Sequence, residues 1–146
     1  MKPVRMVDVS EKGETTRLAV AEGKIRLRQD TLRAVREKKV EKGDVLTAAG
    51  LAALNAVKRT SEILFHCHPL ELTSVEPRFR FLEDGIQVSV EVKAVGKTGV
   101  EMEALVGVSV ALLTIWDMVK ALEKDREGQY PFTRISDIRV VKKVKG

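Results

Sequence analysis

Residues 81–92 read FLEDGIQVSVEV, which combines a turn signal with an alternating run of valines. Its valines alternate with polar residues, which is the two-residue period of a strand that buries one face. Glu83-Asp84-Gly85, just before the valines, is typical of a hairpin turn. The stretch therefore predicts two antiparallel strands joined by that turn, roughly over residues 72–82 and 86–95.

Helices are predicted on both sides of this hairpin. Asp30 suits the N-cap of a short charged helix over about 31–39, and an alanine-rich segment with helical spacing predicts a second helix over about 45–59. Gly50 lies inside the second helix, where it costs roughly 1 kcal/mol against alanine, so close packing is expected to compensate. After the hairpin, a long helix is predicted over about 101–124.

Two further strands complete the pattern, over about 17–27 and 135–144, and residues 1–16 are expected to be irregular. The order strand, helices, strand, strand, helix, strand predicts an α+β fold. We expect a ferredoxin-like βαββαβ sandwich with an antiparallel sheet and one extra short helix. Because no repeat or linker-like tract interrupts the chain, residues 1–146 are expected to form a single domain.

The long helix carries a prediction about assembly. Between Met102 and Leu122, 15 of 21 residues are apolar, and they cover every side of the helix. Such a helix is expected to be buried all round, with one face on the sheet and another under a second cover. Glu103, Asp117 and Lys120 interrupt it and argue against a membrane span. In a chain of this size the second cover is expected to be a partner subunit.

Composition narrows the classes of function. The 146 residues carry a formal net charge of +5, which is compatible with a nucleic acid, with a nucleoside triphosphate and with plain surface lysines. Aromatic residues make up only 4% of the chain, and Phe79 and Phe81 lack the flanking pattern of RNA-binding sheets, so no nucleic-acid partner is expected. The single cysteine, Cys67, and the lack of an apolar leader predict a cytoplasmic protein.

Asp117 and Lys120 lie three residues apart in the apolar long helix. One interpretation is a surface ion pair of the usual helical spacing. The other is a partly desolvated acid–amine pair with shifted protonation, which suits proton transfer. Spacing alone leaves both interpretations open.

His66-Cys67-His68 stands directly before Pro69. Since the residue before a proline is pushed toward extended geometry, any preceding helix is expected to end before His68. Three adjacent residues rarely supply a tetrahedral zinc set, so no metal site is predicted. The remaining alternatives are an ordinary loop histidine and a functional one at a strand entrance.

Charged residues also cluster at two predicted helix starts. Lys42 and Gly43 precede the second helix, where free N–H groups favour an anion, although a solvated lysine explains the pattern equally well. Glu101 and Glu103 begin the long helix, where acidic residues are favoured electrostatically without any functional role. Three basic residues would extend the positive field around Lys42: Arg17, Lys58 and Arg59.

Six segments together resemble the molybdenum-cofactor biosynthesis protein C family, MoaC. They occur in the family's order and at its approximate spacing, and they cover about residues 6 to 125. The segments are Met6-Val7-Asp8-Val9-Ser10, Lys42-Gly43-Asp44-Val45, Lys58-Arg59-Thr60, Cys67-His68-Pro69-Leu70, TGVEMEAL at 98–105 and LTIWDMVK at 113–120.

The resemblance implies a ferredoxin-like fold in a homohexamer, a trimer of dimers with active sites at dimer interfaces. It implies a phosphorus–oxygen lyase that converts 3′,8-cyclo-7,8-dihydroguanosine triphosphate to cyclic pyranopterin monophosphate and pyrophosphate. Release of pyrophosphate is compatible with a divalent ion such as Mg²⁺, for which the sequence shows no dedicated ligand set. No other cofactor is expected.

The resemblance also implies which residues form the site. The catalytic residues would be Asp117, Lys42 and Lys120, which relay protons during ring opening and closure. The substrate-binding residues would be His66, Cys67, His68, Met102, Glu103, Glu101, Arg17, Lys58, Arg59 and Lys143. The family usually carries leucine at the position of His66, which implies contact through the backbone there.

Glu103 and Asp117 pose a geometric question. They are 14 residues apart, which is about 21 Å along a helix axis. A single pocket would hardly use both side chains from one chain. Either Glu103 precedes the helix, or two subunits build the site.

Overall fold

Four strands form one antiparallel sheet in the computed structural model, which describes residues 2–146. The strands are β1 (Thr15–Arg26), β2 (Glu71–Leu82), β3 (Gly85–Gly96) and β4 (Arg134–Lys145). The helices are α1 (Gln29–Arg36), α2 (Val45–Lys58), α3 (Thr60–Ile63) and α4 (Glu101–Glu123). The spatial order is β2-β3-β1-β4, so the α2–α3 and α4 connections each carry the chain past an intervening strand.

The predicted hairpin is confirmed. β2 ends at Leu82 and β3 begins at Gly85, so Glu83 and Asp84 form a two-residue turn. A side chain at Gly85 would collide with the carbonyl oxygen of Ile25 in β1. Glycine at this position therefore lets β3 begin pairing with the end of β1.

The core lies between one face of the sheet and the two main helices. Alternate residues of β1 and β3 are fully buried on this face, as their period predicted; examples are Ala19, Ile25, Val88 and Val90. α4 packs on the sheet and α2 packs beside α4. Gly107 permits this crossing, because a Cβ there would lie 2.7 Å from the Cγ2 of Val57 in α2.

Several local predictions were wrong. α1 starts at Gln29, and Asp30 lies inside its first turn, so Asp30 is not the N-cap; Arg28 occupies that position. β1 begins at Thr15, two residues before the predicted start, and the short α3 was not predicted. A Cβ at Gly50 would meet its nearest neighbours at 3.7 and 3.8 Å, which is ordinary contact, so packing does not require glycine there.

The surface of α4 is only partly covered within one chain. By length and composition α4 could cross a membrane, yet 39% of its apolar window is buried against the rest of the fold. Met102, Leu113 and Leu122 remain 42%, 59% and 47% exposed. The expectation that α4 is buried all round is therefore wrong for the single chain, and the second cover by a partner subunit stays a prediction.

The last turn of α4 is fastened by a buried carboxylate. Glu123 is fully buried and accepts hydrogen bonds from the Arg28 N–H at 3.0 Å and from the hydroxyls of Thr31 and Thr133. These donors belong to the start of α1 and to the segment before β4. One side chain thus joins three parts of the chain near the helix turn that carries Lys120.

Candidate active site

Nine of the thirteen predicted site residues fall into two groups near opposite ends of α4. We call Lys42, Asp117 and Lys120 the Asp117 cluster. The group around the first turn of α4 is the helix-start cluster, and it comprises Lys58, Cys67, His68, Glu101, Glu103 and Lys143.

The Asp117 cluster is held by α4 and by the turn before α2. Asp44 caps α2 by accepting a hydrogen bond from the Thr47 N–H at 3.3 Å, and Gly43 adopts a φ of +121°. This turn brings the Lys42 Nζ within 2.9 Å of the Asp117 carbonyl oxygen and 3.6 Å of its Oδ2. Lys120, one turn along α4, lies 3.1 Å from the Asp117 Oδ1.

Two ammonium groups thus converge on one carboxylate. The hydrogen bond from Lys120, followed by the charges of Lys42 and Lys120, lowers the pKa of Asp117 below its usual value. The Asp117 carboxylate is therefore ionised at neutral pH and can accept a proton. Its side chain is 62% exposed in the single chain, so the desolvated pair that one interpretation required is absent without a further cover.

Glu103 forms the buried centre of the helix-start cluster. The residue is only 5% exposed, and it lines a cleft of about 50 Å³ together with Lys58 and His68. Burial, and then the charge of Glu101, raises the pKa of Glu103 above its usual value. This carboxyl group can consequently retain a proton nearer to neutral pH than an exposed glutamate.

Cys67 belongs to this cluster as a neutral thiol. Burial, and then the charge of Glu103, raises the pKa of Cys67. Because the thiolate is the nucleophilic form, this environment does not favour covalent catalysis. Among residues 2–146, no group of three or more His, Cys, Asp or Glu side chains is arranged to hold a metal ion.

Glu101 and Lys143 meet across the start of α4 and the end of β4. The Lys143 Nζ lies 3.4 Å from the Glu101 Oε2. The Glu101 Oε1 is buried and has no hydrogen-bond partner among the described residues. The carboxylate also fills the space beside Gly99, where a Cβ would collide with it. An unpaired buried acceptor is costly, so it marks this position as a point where a ligand can donate.

The other predicted binding residues lie apart from these contacts. Arg17 is 7% exposed, and its Nε donates to the Gly96 carbonyl oxygen at 3.4 Å. Met102 is exposed on the first turn of α4, and the exposed His66 packs against the Phe65 ring at 4.2 Å. Arg59 is exposed between α2 and α3.

Sequence reasoning missed a second cavity beside His68. A cavity of about 330 Å³ lies between His68 and the N-terminal segment, which contributes Glu14. Lys97 and Thr98 line the same cavity. The signal was present in the sequence, because Thr98 opens the family-like run at 98–105 and Lys97 directly precedes it.

The two clusters are separated along one helix. Glu103 and Asp117 both lie inside α4, so the alternative in which Glu103 precedes the helix is wrong. Their spacing of 14 residues corresponds to about 21 Å. The two clusters therefore do not meet within one chain.

Comparison with known proteins gives one consistent result. The profile of the MoaC family matches residues 6–146. The chain is 58% identical to a protein of Pyrococcus furiosus named probable cyclic pyranopterin monophosphate synthase, over 99% of this chain and 92% of that protein. A protein of the same name from Archaeoglobus fulgidus is 60% identical, over 98% of this chain and 92% of its own length. A Methanothermobacter thermautotrophicus protein named probable cyclic pyranopterin monophosphate synthase accessory protein is 61% identical, over 99% and 91%.

Proposed function

The chain belongs to the MoaC family, and we propose that it is a cyclic pyranopterin monophosphate synthase of molybdenum-cofactor biosynthesis. The substrate would be 3′,8-cyclo-7,8-dihydroguanosine triphosphate, and the products cyclic pyranopterin monophosphate and pyrophosphate. The reaction opens the imidazole part of the purine, builds a new ring and closes a cyclic phosphate. These steps need repeated proton transfers and a site for polyphosphate. Because closure of the cyclic phosphate breaks the phosphorus–oxygen bond to the departing pyrophosphate without water, the enzyme would be a phosphorus–oxygen lyase.

The observation that carries this proposal is the Asp117 cluster. Asp117 is an ionised carboxylate with ammonium groups at 3.1 and 3.6 Å, so a base and two proton donors share one small region. Groups within hydrogen-bond reach of one another can pass a proton to and from a bound ring. The same two lysines, Lys42 and Lys120, offer positive charge to developing anions and to phosphate oxygens.

Glu103 is the second acid–base group of the proposed site. Its pKa is raised by burial while the pKa of Asp117 is lowered by the lysines. Two carboxyl groups with opposite shifts are suited to opposite roles. We assign proton acceptance to Asp117 and proton donation to Glu103, with His68 in the same cleft to orient the substrate.

A two-fold pairing of α4 would bring the Asp117 cluster of one subunit to the helix-start cluster of the other. Suppose that α4 of a second subunit runs antiparallel across the first, with the two-fold axis at residue 110. Because residue 110 lies midway between Glu103 and Asp117, Glu103 of one chain then approaches Asp117 of the other. The outward face of α4 supports this pairing, because Met102 lies on it with 42% exposure and the half-buried Ser109 lies near its centre. The apolar contact would also exclude water from the half-exposed Asp117 cluster.

The remaining parts of the proposal follow the family. The triphosphate would lie between Lys42 of the Asp117 cluster in one subunit and basic residues of the helix-start side in the other: Arg17, Lys58, Arg59 and Lys143. The subunits would form a homohexamer, a trimer of dimers, and each would have the ferredoxin-like arrangement, which the strand order β2-β3-β1-β4 supports. We place the protein in the cytoplasm, and Mg²⁺ would act with the released pyrophosphate rather than in a protein-built site.

The test is direct conversion. Purified protein is incubated with the cyclic dihydroguanosine triphosphate, and the pterin product and pyrophosphate are measured. Asp117→Asn keeps the shape and removes the ionisable group, so we expect product formation to fall by about 10²- to 10⁴-fold. Asp30→Asn changes an exposed aspartate on α1 and serves as the matched control. Normal turnover by Asp117→Asn would refute its role, and no turnover by the unmodified protein would point to an accessory function instead.

A further inference from the structure

A separate cavity opens beside the Asp117 cluster, between α4 and the start of β4. It measures about 380 Å³ and is lined by Leu113, Trp116 and Ile135, with Asp117 and Lys120 at its rim. We call it the Trp116 cleft. Its size lies in the range of small-molecule sites, which are apolar with a few polar groups that fix orientation.

We propose that the Trp116 cleft receives the fused-ring part of the substrate, which lies against the indole of Trp116 while Asp117 and Lys120 reach its ring nitrogens. This inference rests on the proposed function. A ring that exchanges protons with Asp117 and Lys120 must lie within hydrogen-bond distance of both. Among the cavities described for residues 2–146, the Trp116 cleft is the one that both side chains line.

The walls of the cleft match a flat heterocycle. An indole face can stack with any nucleobase-like ring. The aliphatic side chains of Leu113 and Ile135 add apolar contact without competing hydrogen bonds. Trp116 is held in place by Tyr130, whose ring centroid lies 5.1 Å away at an interplanar angle of 60°. The indole is therefore oriented before any ligand arrives.

The lysines beside the cleft indicate where the anionic end of the ligand lies. Lys120 at the rim, and Lys42 next to it across Asp117, form the positive end of this region. A ligand with an apolar flat ring and an anionic tail fits this layout with the ring in the cleft. A purely anionic ligand would use the lysines and leave Trp116 untouched, which separates the two cases experimentally.

Trp116 is the only tryptophan in the chain, so its fluorescence reports on the cleft without a label. The wild-type protein is titrated with GTP, as a stable purine triphosphate, and in parallel with inorganic triphosphate, which lacks a ring. We expect a saturable change of Trp116 emission with GTP and none with inorganic triphosphate. Equal responses, or no response to GTP, would overturn the proposal.

Turnover supplies the second readout. Trp116→Leu is expected to lower kcat/KM by between about 5-fold and about 150-fold, mainly through KM, because stacking on an aromatic ring is lost. Trp116→Phe is expected to recover most of the loss. Leu51→Ala, which truncates an exposed side chain on α2, is the matched control for surface truncation. Unchanged KM in Trp116→Leu would contradict the proposal.

Two outcomes separate this proposal from the proposed function. If GTP alters Trp116 emission but the wild-type protein forms no pterin, the function fails and the cleft stands. If the wild-type protein forms pterin while emission depends only on protein concentration, a second copy of the chain occupies the cleft and this inference fails.

Discussion

Replacing Glu123 with alanine removes the acceptor of three hydrogen bonds in a fully buried position. Each hydrogen bond to a charged group contributes roughly 1.5–3 kcal/mol, but the sum is reduced because water can enter the space left by the side chain. We therefore expect Glu123→Ala to lower the free energy of unfolding by about 3–5 kcal/mol. For a chain of this length that corresponds to a fall in Tm of about 10–15 °C.

The assay is urea unfolding at a fixed protein concentration, followed by circular dichroism. Glu123→Gln keeps the shape, and its amide oxygen can still accept from the Arg28 N–H while Thr133 turns its hydroxyl to accept from the amide. We expect this variant to lose only about 1–2 kcal/mol. Glu127→Ala, at an exposed position in the next turn, is the control and should stay within about 0.5 kcal/mol of wild type.

If Glu123→Ala unfolds within about 1 kcal/mol of the wild type, the three contacts do not hold α1, α4 and the segment before β4 together. If Glu123→Gln loses as much stability as Glu123→Ala, the charge of Glu123 holds the last turn of α4, rather than its shape and hydrogen bonds.

The remaining predictions concern packing and protonation. Gly107→Ala should lower the free energy of unfolding in urea by about 1–3 kcal/mol, because the new Cβ would lie 2.7 Å from the Val57 Cγ2. Gly50→Ala should raise it by up to about 1 kcal/mol, because the new Cβ would meet its nearest neighbours at 3.7 Å or more. Glu103→Gln should unfold at higher urea than the wild type at neutral pH and lose product formation. Burial raises the pKa of Glu103 in the folded chain above its usual value of 4.5. Between the pKa of the unfolded chain and that of the folded chain, the folded chain holds a proton that the unfolded chain has released. The free energy of unfolding of the wild type therefore falls as pH rises between these two values. The stability difference should therefore vanish below about pH 4; a difference that persists there, or a less stable glutamine variant at neutral pH, would contradict the assignment.

The elements that periodicity controls were predictable from the sequence. Strand β3 alternates because Val88, Val90 and Val92 face the helices, and α4 is apolar because the sheet and α2 both pack on it. The first cap was not predictable. Asp30 has the right chemistry for an N-cap, but the N–H of Arg28 is satisfied by Glu123, which is 95 residues away in the sequence.

The site shows the same division between local and distant contacts. Asp117 and Lys120 were paired by helical spacing, and their contact is confirmed at 3.1 Å. Lys42 joins them because of the turn at Gly43, and only the resemblance to the family implied that it belongs with Asp117. Trp116 was not assigned a function, because one aromatic residue in an apolar helix is indistinguishable from core without knowledge of its exposure.

In the proposed enzyme, each active site takes the Asp117 cluster from one subunit and the helix-start cluster from another. The most direct measurement is product formation by mixed oligomers of Asp117→Asn and Glu103→Gln chains, unfolded together and refolded at equal amounts. In a mixed dimer one site is built from two intact halves and the other from two altered halves, so random pairing predicts about a quarter of wild-type activity. Each variant refolded alone should be inactive. Activity of the mixture no higher than that of the separate variants would contradict a site shared between subunits.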